Sequence, residues 1–76
     1  MHAATLSESK RLQVVLAFLR DRGERGATTW EIIDATGMCA INSIAAELRA
    51  GGIPVECRYD GITEDGLRVY RYRVSA

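Results

Sequence analysis

Two short helical patterns, separated by a glycine, lie at the centre of the chain. The first begins with Thr28 and Glu31, whose spacing is that of a capping box, in which each side chain bonds the amide of the other residue. It ends at Gly37, because glycine takes the positive φ of a helix C-terminus without steric cost. The second pattern has apolar residues at i, i+3, i+4 and i+7, which form one stripe of an α-helix; they are Ile41, Ile44, Ala45 and Leu48. The sequence therefore predicts helices over residues 28–37 and 39–51, with a tight turn between them.

This pair of helices has two interpretations. Two short helices joined by a tight glycine turn are typical of a helix-turn-helix motif, whose second helix can lie in the major groove of DNA. An ordinary helical hairpin has the same pattern. Within the first helix, Trp30, Ile33 and Ala35 are expected to supply apolar contacts, and Trp30 is expected in the core. Thr28 and Thr29 open this helix, where free amides could bind a phosphate, although capping explains them more directly.

The segment before this pair predicts another helix. A tail over residues 1–5 precedes a helix predicted over 6–22, with Thr5 and Glu8, or Ser7 instead, at its start. The polar, glycine-bounded GERG segment that follows is a short linker, which keeps this helix close to the next one. Four apolar residues form the main stripe of the helix: Leu12, Val15, Leu16 and Leu19.

Two further apolar side chains, Val14 and Phe18, lie on a different side of this first helix. They are either buried against the rest of a small core or form the contact of a homodimer. A domain of 76 residues needs most of its apolar surface for its own core, which favours burial.

After the two predicted helices the apolar residues alternate, as they do in a strand with one buried face. Residues 53–59 and 68–74 have this pattern, and the polar segment DGITEDG over 60–66 is typical of a turn. The sequence therefore predicts a β-hairpin over residues 53–74. Three residues of its second strand are expected to point inward: Tyr70, Tyr72 and Val74.

Three helices followed by a hairpin predict an α+β fold in which residues 1–76 form one domain, a winged helix-turn-helix. The chain also resembles the small helix-turn-helix proteins encoded in phages and prophages. The resemblance covers residues 28–74 and is carried by the TTWE helix start, the glycine turn, the LRAGG helix end, and the ECR and VYRYRV strands. It implies a winged-helix fold and DNA binding, with residues 39–51 as the recognition helix and the hairpin as the wing.

Composition restricts the chemistry available to the chain. Ten basic and ten acidic side chains give a net charge of zero, which argues against a protein that coats nucleic acid non-specifically. All the basic residues except Lys10 are arginine, whose planar donor set suits phosphate or guanine. Cys39 and Cys57 lack the spacing of a disulfide or metal motif, and no long apolar run or secretory leader is present. We therefore expect a cytoplasmic protein with no membrane contact, no cofactor and no enzymatic activity.

The candidate base-reading residues lie on the outer face of the predicted recognition helix. Asn42 and Ser43 are the candidate readers, because asparagine can pair with adenine through two hydrogen bonds and serine is small enough to reach either strand. Ala46 could touch a thymine methyl group. Glu47 lies at one side, where phosphate would repel it unless it reads a cytosine amino group. At about 100° per residue, the side opposite the apolar stripe carries small, uncharged side chains: Cys39, Asn42, Ser43, Ala46 and Ala50.

The candidate phosphate contacts are arginines of the hairpin and of the helix before it: Arg49, Arg58, Arg68, Arg71 and Arg73. Arg58 and Arg68 are expected to flank the wing and to contact phosphates or a minor groove. Arg71 and Arg73 share a strand face, so they either do the same or pair with Glu56 across the hairpin.

The leading hypothesis is a sequence-specific duplex-DNA-binding protein of a phage or mobile element, acting as a regulator. The alternative is a protein–protein adaptor, or an inhibitor of a host factor, on the same scaffold. The zero net charge and the neutral helix face favour this alternative. The partners expected besides double-stranded DNA are a second copy of the chain and a host or phage protein.

Overall fold

Residues 9–75, which the computed structural model describes, form an α+β fold with three α-helices and a three-stranded antiparallel sheet. A turn of 3₁₀ helix at Gly23–Arg25 follows the first helix, and β3 lies between β1 and β2 in the sheet. The helices and strands run in the order α1 (Lys10–Arg22), β1 (Ala27–Thr28), α2 (Thr29–Thr36), α3 (Ile41–Ala50), β2 (Val55–Ile62) and β3 (Arg68–Val74).

The longest of these helices, α1, has 13 residues. A helix needs about 20 apolar residues to cross a bilayer. Across residues 9–75 the chain therefore contains no helix of the length and apolarity that a membrane span requires.

The ends of α1 follow from its local sequence. The side chain of Ser9 caps the helix by accepting a hydrogen bond from the Leu12 amide at 3.4 Å, and Gly23, with a φ of 60°, ends it. All four residues of the predicted stripe are buried, which confirms that prediction. The helix was predicted to begin at residue 6, but Ser9 has an extended backbone and the first helical residue is Lys10, so the predicted start is wrong. The predicted tail over residues 1–5 lies outside the described residues, as do the three candidate capping residues Thr5, Ser7 and Glu8.

The second helix, α2, confirms the predicted capping box but not the predicted buried face. Thr28 Oγ1 accepts from the Glu31 amide at 3.2 Å, and Glu31 Oε1 accepts from the Thr28 amide at 2.8 Å. The residue that α2 buries is Ile32, whereas Trp30 is 60% exposed, so the prediction of Trp30 in the core is wrong. Trp30 and Ile32 are two residues apart in the sequence, which places their side chains about 200° apart around the helix. A helix that buries Ile32 against its neighbours therefore turns Trp30 to the surface.

The third helix, α3, begins later than the sequence predicted. Cys39 and Ala40 lie in the connection from α2, and Ala40 has a left-handed φ of 54° immediately before the helix. A residue at positive φ cannot continue a right-handed helix, so the helix begins at Ile41. The predicted apolar stripe is confirmed, because all its members are buried: Ile41, Ile44, Ala45 and Leu48.

The hairpin spans Val55–Val74, close to the predicted 53–74, but its first strand is longer and its outer part is less covered than predicted. β2 continues to Ile62 through a register shift, and the turn between the strands is confined to residues 63–67. Tyr72 is buried and Val74 packs against the core, as expected. Tyr70 shares their face but is 38% exposed, so the expectation that it is buried is wrong. The helices cover only the base of the hairpin, and the strands extend beyond them.

The short strand β1 has no counterpart in the prediction. Ala27 pairs with Tyr72 and Thr28 with Arg71, which places β1 on the side of β3 opposite β2. Ala27 is fully buried and joins the core, which lies between the helices and the covered end of the sheet. A strand of two residues shows no alternation, so no periodic pattern could reveal it.

Candidate nucleic-acid interface

The outer face of α3 carries small, uncharged side chains. Asn42, Ser43 and Ala46 are all exposed, and the stripe on the opposite side of the helix is buried. Cys39, which was predicted on the same face, is exposed but precedes the helix. Small side chains allow another molecule to approach the helix closely, and Asn42 and Ser43 offer it hydrogen-bond donors and acceptors.

The acid beside this face, Glu47, is paired with a base from α1. Arg11 Nη2 lies 2.7 Å from Glu47 Oε2 and 2.8 Å from Glu47 Oε1. An exposed pair of this kind contributes only about 0–1 kcal/mol to stability. Its consequence is electrostatic, because it neutralises a carboxylate that would otherwise repel a phosphate near α3.

Arg49 has a contact that the sequence did not indicate. Its Nε donates a hydrogen bond to the carbonyl of Val55 at 2.8 Å, which joins the end of α3 to the start of β2. The residue is exposed, so its other guanidinium nitrogens can still reach an anion. Arg49 therefore has a structural role in addition to the contact predicted for it.

The arginines of the hairpin are divided between its two faces. Arg71 and Arg73 are the neighbours of the buried Tyr72 in β3, so they lie on the opposite face of the sheet from its ring. Arg58 is paired with Arg71 and lies on the same face as Arg71. Arg68 lies four residues before Tyr72 in the same strand and points to the helix side. Arg58 and Arg68, which were predicted to flank the wing together, thus lie on opposite faces of it.

Two of these arginines are held by acids. Arg73 Nε lies 2.7 Å from Glu56 Oε2, which confirms the predicted pairing across the hairpin. Arg71 Nε lies 3.1 Å from Asp60 Oδ2, and its Nη1 donates to the carbonyl of Arg25 at 3.0 Å. These contacts make Arg71 and Arg73 less available to a phosphate.

Arg58 and Arg68 are exposed and have neither a hydrogen bond nor an ion pair with another residue in the described part of the chain. Both can therefore meet an anion without breaking a contact. The turn between the strands carries the exposed acids Glu64 and Asp65. These acids oppose a phosphate at the tip of the hairpin, so the region closer to the helices is the better place for one.

The start of α2 has two of its amides occupied by capping bonds. The amides of Thr28 and Glu31 already donate within the capping box. Thr29 and Cys57 interact with the phenol of Tyr72, and burial, followed by the effect of Cys57, raises the pKa of that phenol. The geometry therefore favours a structural role for Thr28 and Thr29 over the predicted phosphate contact.

Glu31 joins α2 to α1 and to β3. Its Oε2 accepts from Arg22 Nη2 at 3.2 Å, and its Oε1 lies 3.7 Å from Arg71 Nη1. The hydrogen bond from the Thr28 amide, and then the charge of Arg22, hold the pKa of Glu31 below its ordinary value of 4.5. The charged form of this carboxylate is thus favoured in the folded protein.

Replacing Glu31 with glutamine is expected to destabilise the protein at neutral pH and to have little effect in acid. Glutamine can still accept the capping hydrogen bond, so the change removes mainly the charge. Because the folded-state pKa lies below the unfolded one, the stabilisation is present above the unfolded pKa. It is lost as the pH falls through the folded pKa. Urea unfolding at about pH 7 and about pH 3 should show the advantage of the wild type only at the higher pH.

Glu64→Gln is the matched control for this measurement. Glu64 is exposed in the hairpin turn and has no ion pair with a described residue, so its replacement should change stability little at either pH. If the deficit of Glu31→Gln stayed the same in acid, the charge of Glu31 would not be its cause.

Val14 and Phe18, the residues predicted as a dimer contact, are both half-buried. Phe18 packs against the core, and the guanidinium carbon of Arg22 lies 5.8 Å from the centroid of its ring. The structure therefore places Phe18 largely within the chain's own contacts. A dimer contact at these residues stays a prediction.

Several large apolar side chains lie at the surface and were not identified as surface residues from the sequence: Trp30, Tyr59, Ile62, Leu67 and Tyr70. Trp30 forms a shallow groove on α2 with Ile33 and Asp34. The rings of Tyr59 and Tyr70 meet edge to face, with their centroids 6.0 Å apart. Alternation looks the same in a strand that extends beyond the helices, so the pattern could not reveal the exposure of the tyrosines.

Comparison with models of known protein families, with curated proteins and with solved structures gave no match for this chain. A function is therefore inferred from the geometry of the surface and from the chemistry of its residues.

Proposed function

We propose that this chain is a winged-helix domain of the phage or mobile-element type, which binds a specific sequence of duplex DNA and acts as a regulator. The observation that carries the proposal is the outer face of α3, where Asn42, Ser43 and Ala46 are exposed and uncharged. The topology supports it, because β3 lies between β1 and β2 and the β2–β3 hairpin follows α3, as a wing would.

In this proposal α3 reads bases through a small number of contacts. Asn42 pairs with an adenine through two hydrogen bonds, Ser43 bonds a neighbouring base edge, and Ala46 packs on a thymine methyl group. A contact with two hydrogen bonds discriminates against a wrong base by about 1–3 kcal/mol. Three small readers therefore favour specificity over high affinity.

The phosphate contacts come from few charges. Arg58 and Arg68 have no hydrogen bond or ion pair with a described residue, and Arg49 keeps exposed nitrogens. Arg71 and Arg73 contribute less, because acids already hold them. The salt dependence of DNA binding follows the number of phosphates neutralised. We therefore expect modest affinity and a shallow dependence on salt.

The proposal is tested with two variants that add the same charge at different places. Duplexes bound by the wild type are first selected from a random pool. Ala46→Glu then places a carboxylate on the proposed face, whereas Ala17→Glu places one on the exposed side of α1. We expect Ala46→Glu to weaken binding about tenfold or more, because like charges facing each other across an interface cost several kcal/mol. Ala17→Glu should change the affinity less than about twofold.

Circular dichroism of both variants establishes that they are folded, since each substitution is at an exposed helical position. If no duplex in the pool bound the wild type at low salt, the proposal would be wrong. Equal losses of affinity in the two variants would also contradict it, because α3 would then not be the contact.

A protein–protein adaptor or host-factor inhibitor is the second candidate, and the exposure of Trp30 favours it. Tryptophan is enriched at the energetic centres of protein interfaces, and Trp30 is 60% exposed beside Ile33. Capture of a stoichiometric protein by the wild type and by Ala46→Glu, but not by Trp30→Ala, would favour this candidate if DNA binding were absent.

A further inference from the structure

The strand β2 lies at the edge of the sheet, and no other strand of residues 9–75 covers its outer side. Its first five residues, Val55–Tyr59, pair regularly with β3, and a register shift follows between Tyr59 and Ile62. A regular, uncovered edge is a template for pairing with another strand. The centre of the regular segment is Cys57, which is exposed.

The free edge presents the backbone groups of Cys57 and Tyr59. In an antiparallel ladder, alternate residues direct N–H and C=O toward the neighbouring strand, and the residues between them direct theirs away. The Ser75 amide donates to the carbonyl of Pro54 at 2.9 Å, which sets this alternation. The N–H and C=O groups of Cys57 and Tyr59 therefore point away from β3, as do those of Val55. The Val55 groups are already used, because its amide donates to the Ile53 carbonyl at 2.9 Å and its carbonyl accepts from the guanidinium at the end of α3.

Tyr72, the partner of Cys57 in β3, independently shows that the backbone groups of Cys57 do not bond β3. Tyr72 pairs with Cys57, and its carbonyl lies against Gly26, on the β1 side of β3. Tyr72 thus directs its backbone groups away from β2. The amide and the carbonyl of Cys57 consequently remain available to a strand outside this sheet.

The charges along β2 favour a second copy of the same strand as that partner. Glu56 and Arg58 flank Cys57 on the face away from the helices. When two copies pair antiparallel with Cys57 opposite Cys57, Glu56 of each copy faces Arg58 of the other. On the opposite face of the sheet, Val55 of each copy then meets Tyr59 of the other.

Glu56 and Arg58 both have atoms free to form this contact between copies. Arg73 and Ser75 both donate to Glu56 Oε2, and Glu56 Oε1 has no partner among the described residues. Arg58 has no hydrogen bond or ion pair within the described chain. The contact between copies would therefore pair Arg58 without breaking the bond between Glu56 and Arg73.

The neighbouring registers are less favourable. Centring the pair on Glu56 places this acid opposite its own copy. Centring it on Arg58 places this arginine opposite its own copy and Glu56 opposite Asp60, so that like charges meet in both registers. Centring it on Tyr59 brings the register shift, where Gly61 has a φ of 115°, into the new ladder. The charges and the shift together leave the register centred on Cys57.

We propose that two copies of this chain associate through their β2 edges, antiparallel about a twofold axis at Cys57, to form one six-stranded sheet. The proposal does not rest on DNA binding, and its surface differs from that of Val14 and Phe18. Twofold dimers are the commonest soluble homo-oligomers. Because each copy contributes one strand, the association should be reversible and depend on concentration.

Sedimentation equilibrium of the full chain tests this dimer with a charge reversal and its complement. Arg58→Glu places two acids opposite each other at both ends of the ladder, and we expect it to weaken association about tenfold or more. The double variant Glu56→Arg with Arg58→Glu exchanges the charges and should restore association. Thermal unfolding of each variant serves as the control for folding, since both side chains are exposed.

Oxidation of Cys57 provides a second readout that depends on the register. With Cys39→Ser in place, diamide can accept the two protons and two electrons released when two Cys57 thiols form a disulfide. Residues paired across an antiparallel ladder have Cα atoms about 5.5 Å apart, within the range of a disulfide. We expect a Cys57-linked dimer that forms more slowly in Arg58→Glu, and no linked dimer in the matched control Cys57→Ser with Cys39 retained.

Three results would overturn this proposal. The first is a wild-type chain that stays monomeric up to about millimolar concentration, because its dissociation constant would then be weaker than about 1 mM. The second is failure of the exchanged charges to restore association. The third is cross-linking of Cys57 at the same rate in the wild type and in Arg58→Glu.

Discussion

Replacing Gly26 with alanine is expected to destabilise the protein by roughly 2–6 kcal/mol. Gly26 has a φ of 60°, and a Cβ placed there would collide with the carbonyl oxygen of Tyr72 and lie 2.9 Å from the Cβ of Arg73. Neither atom is the end of a flexible side chain, so β1 would have to move away from β3. The backbone strain costs about 1–3 kcal/mol, and the overpacking a similar amount.

This loss is a large fraction of the stability of so small a domain. At roughly 0.05–0.15 kcal/mol per residue, the free energy of unfolding of a chain of this length is about 4–11 kcal/mol. Urea unfolding followed by far-ultraviolet circular dichroism measures the change. We expect the midpoint of Gly26→Ala to fall well below that of the wild type.

Gly23→Ala is the matched control. Gly23 and Gly26 have the same φ of 60° and similar ψ values of −137° and −158°, but nothing lies within 4 Å of a Cβ at Gly23. The two substitutions therefore share the backbone strain and differ in the collision with β3. Gly23→Ala should have about half the effect or less. Equal losses would mean that the close approach of β1 to β3 does not limit this position.

The helices were predictable because their signals are local. A helix of about three to four turns with apolar residues at i, i+3 and i+4 buries that stripe, and both α1 and α3 do so. The capping box at Thr28 and Glu31 likewise depends on residues three positions apart. The outer face of α3 follows directly, since Asn42 and Ser43 must be exposed when Ile41 and Ile44 are buried.

The remaining features depend on residues distant in the sequence. Gly26 is required by its contact with Tyr72, which only the folded sheet brings close. Arg11 meets Glu47 across a sequence separation of 36 residues, and nothing in either segment identifies the partner. The exposure of Trp30 depends on which side of α2 faces the other helices.

The length of the first strand of the hairpin was unpredictable for a related reason. A register shift of one residue moves every side chain of a strand to the other face. The predicted turn over residues 60–66 did not reveal that β2 continues to Ile62 through such a shift. Before the shift the predicted alternation holds, and it is this alternation that places Arg58 and Arg68 on opposite faces of the hairpin.

Replacing Leu48 with alanine is expected to destabilise the protein by about 2–5 kcal/mol and to weaken any function of α3. Leu48 is 1% exposed and belongs to the one stripe that holds α3 against the core. Its carbonyl also accepts from the Ile53 amide at 2.9 Å, at the point where the chain turns toward β2. The cavity left by the side chain would loosen the helix that carries the proposed readers. Urea unfolding gives the change in stability.

Leu67→Ala is the control that separates burial from the identity of the side chain. Leu67 is 51% exposed beside the hairpin turn, so the same truncation leaves no cavity and should cost less than about 1 kcal/mol. Equal losses of stability in Leu48→Ala and Leu67→Ala would show that the buried stripe does not hold α3 against the core. In that case the opposite face of the helix would have no fixed direction, and the proposed contact of Asn42 and Ser43 with DNA would lose its basis.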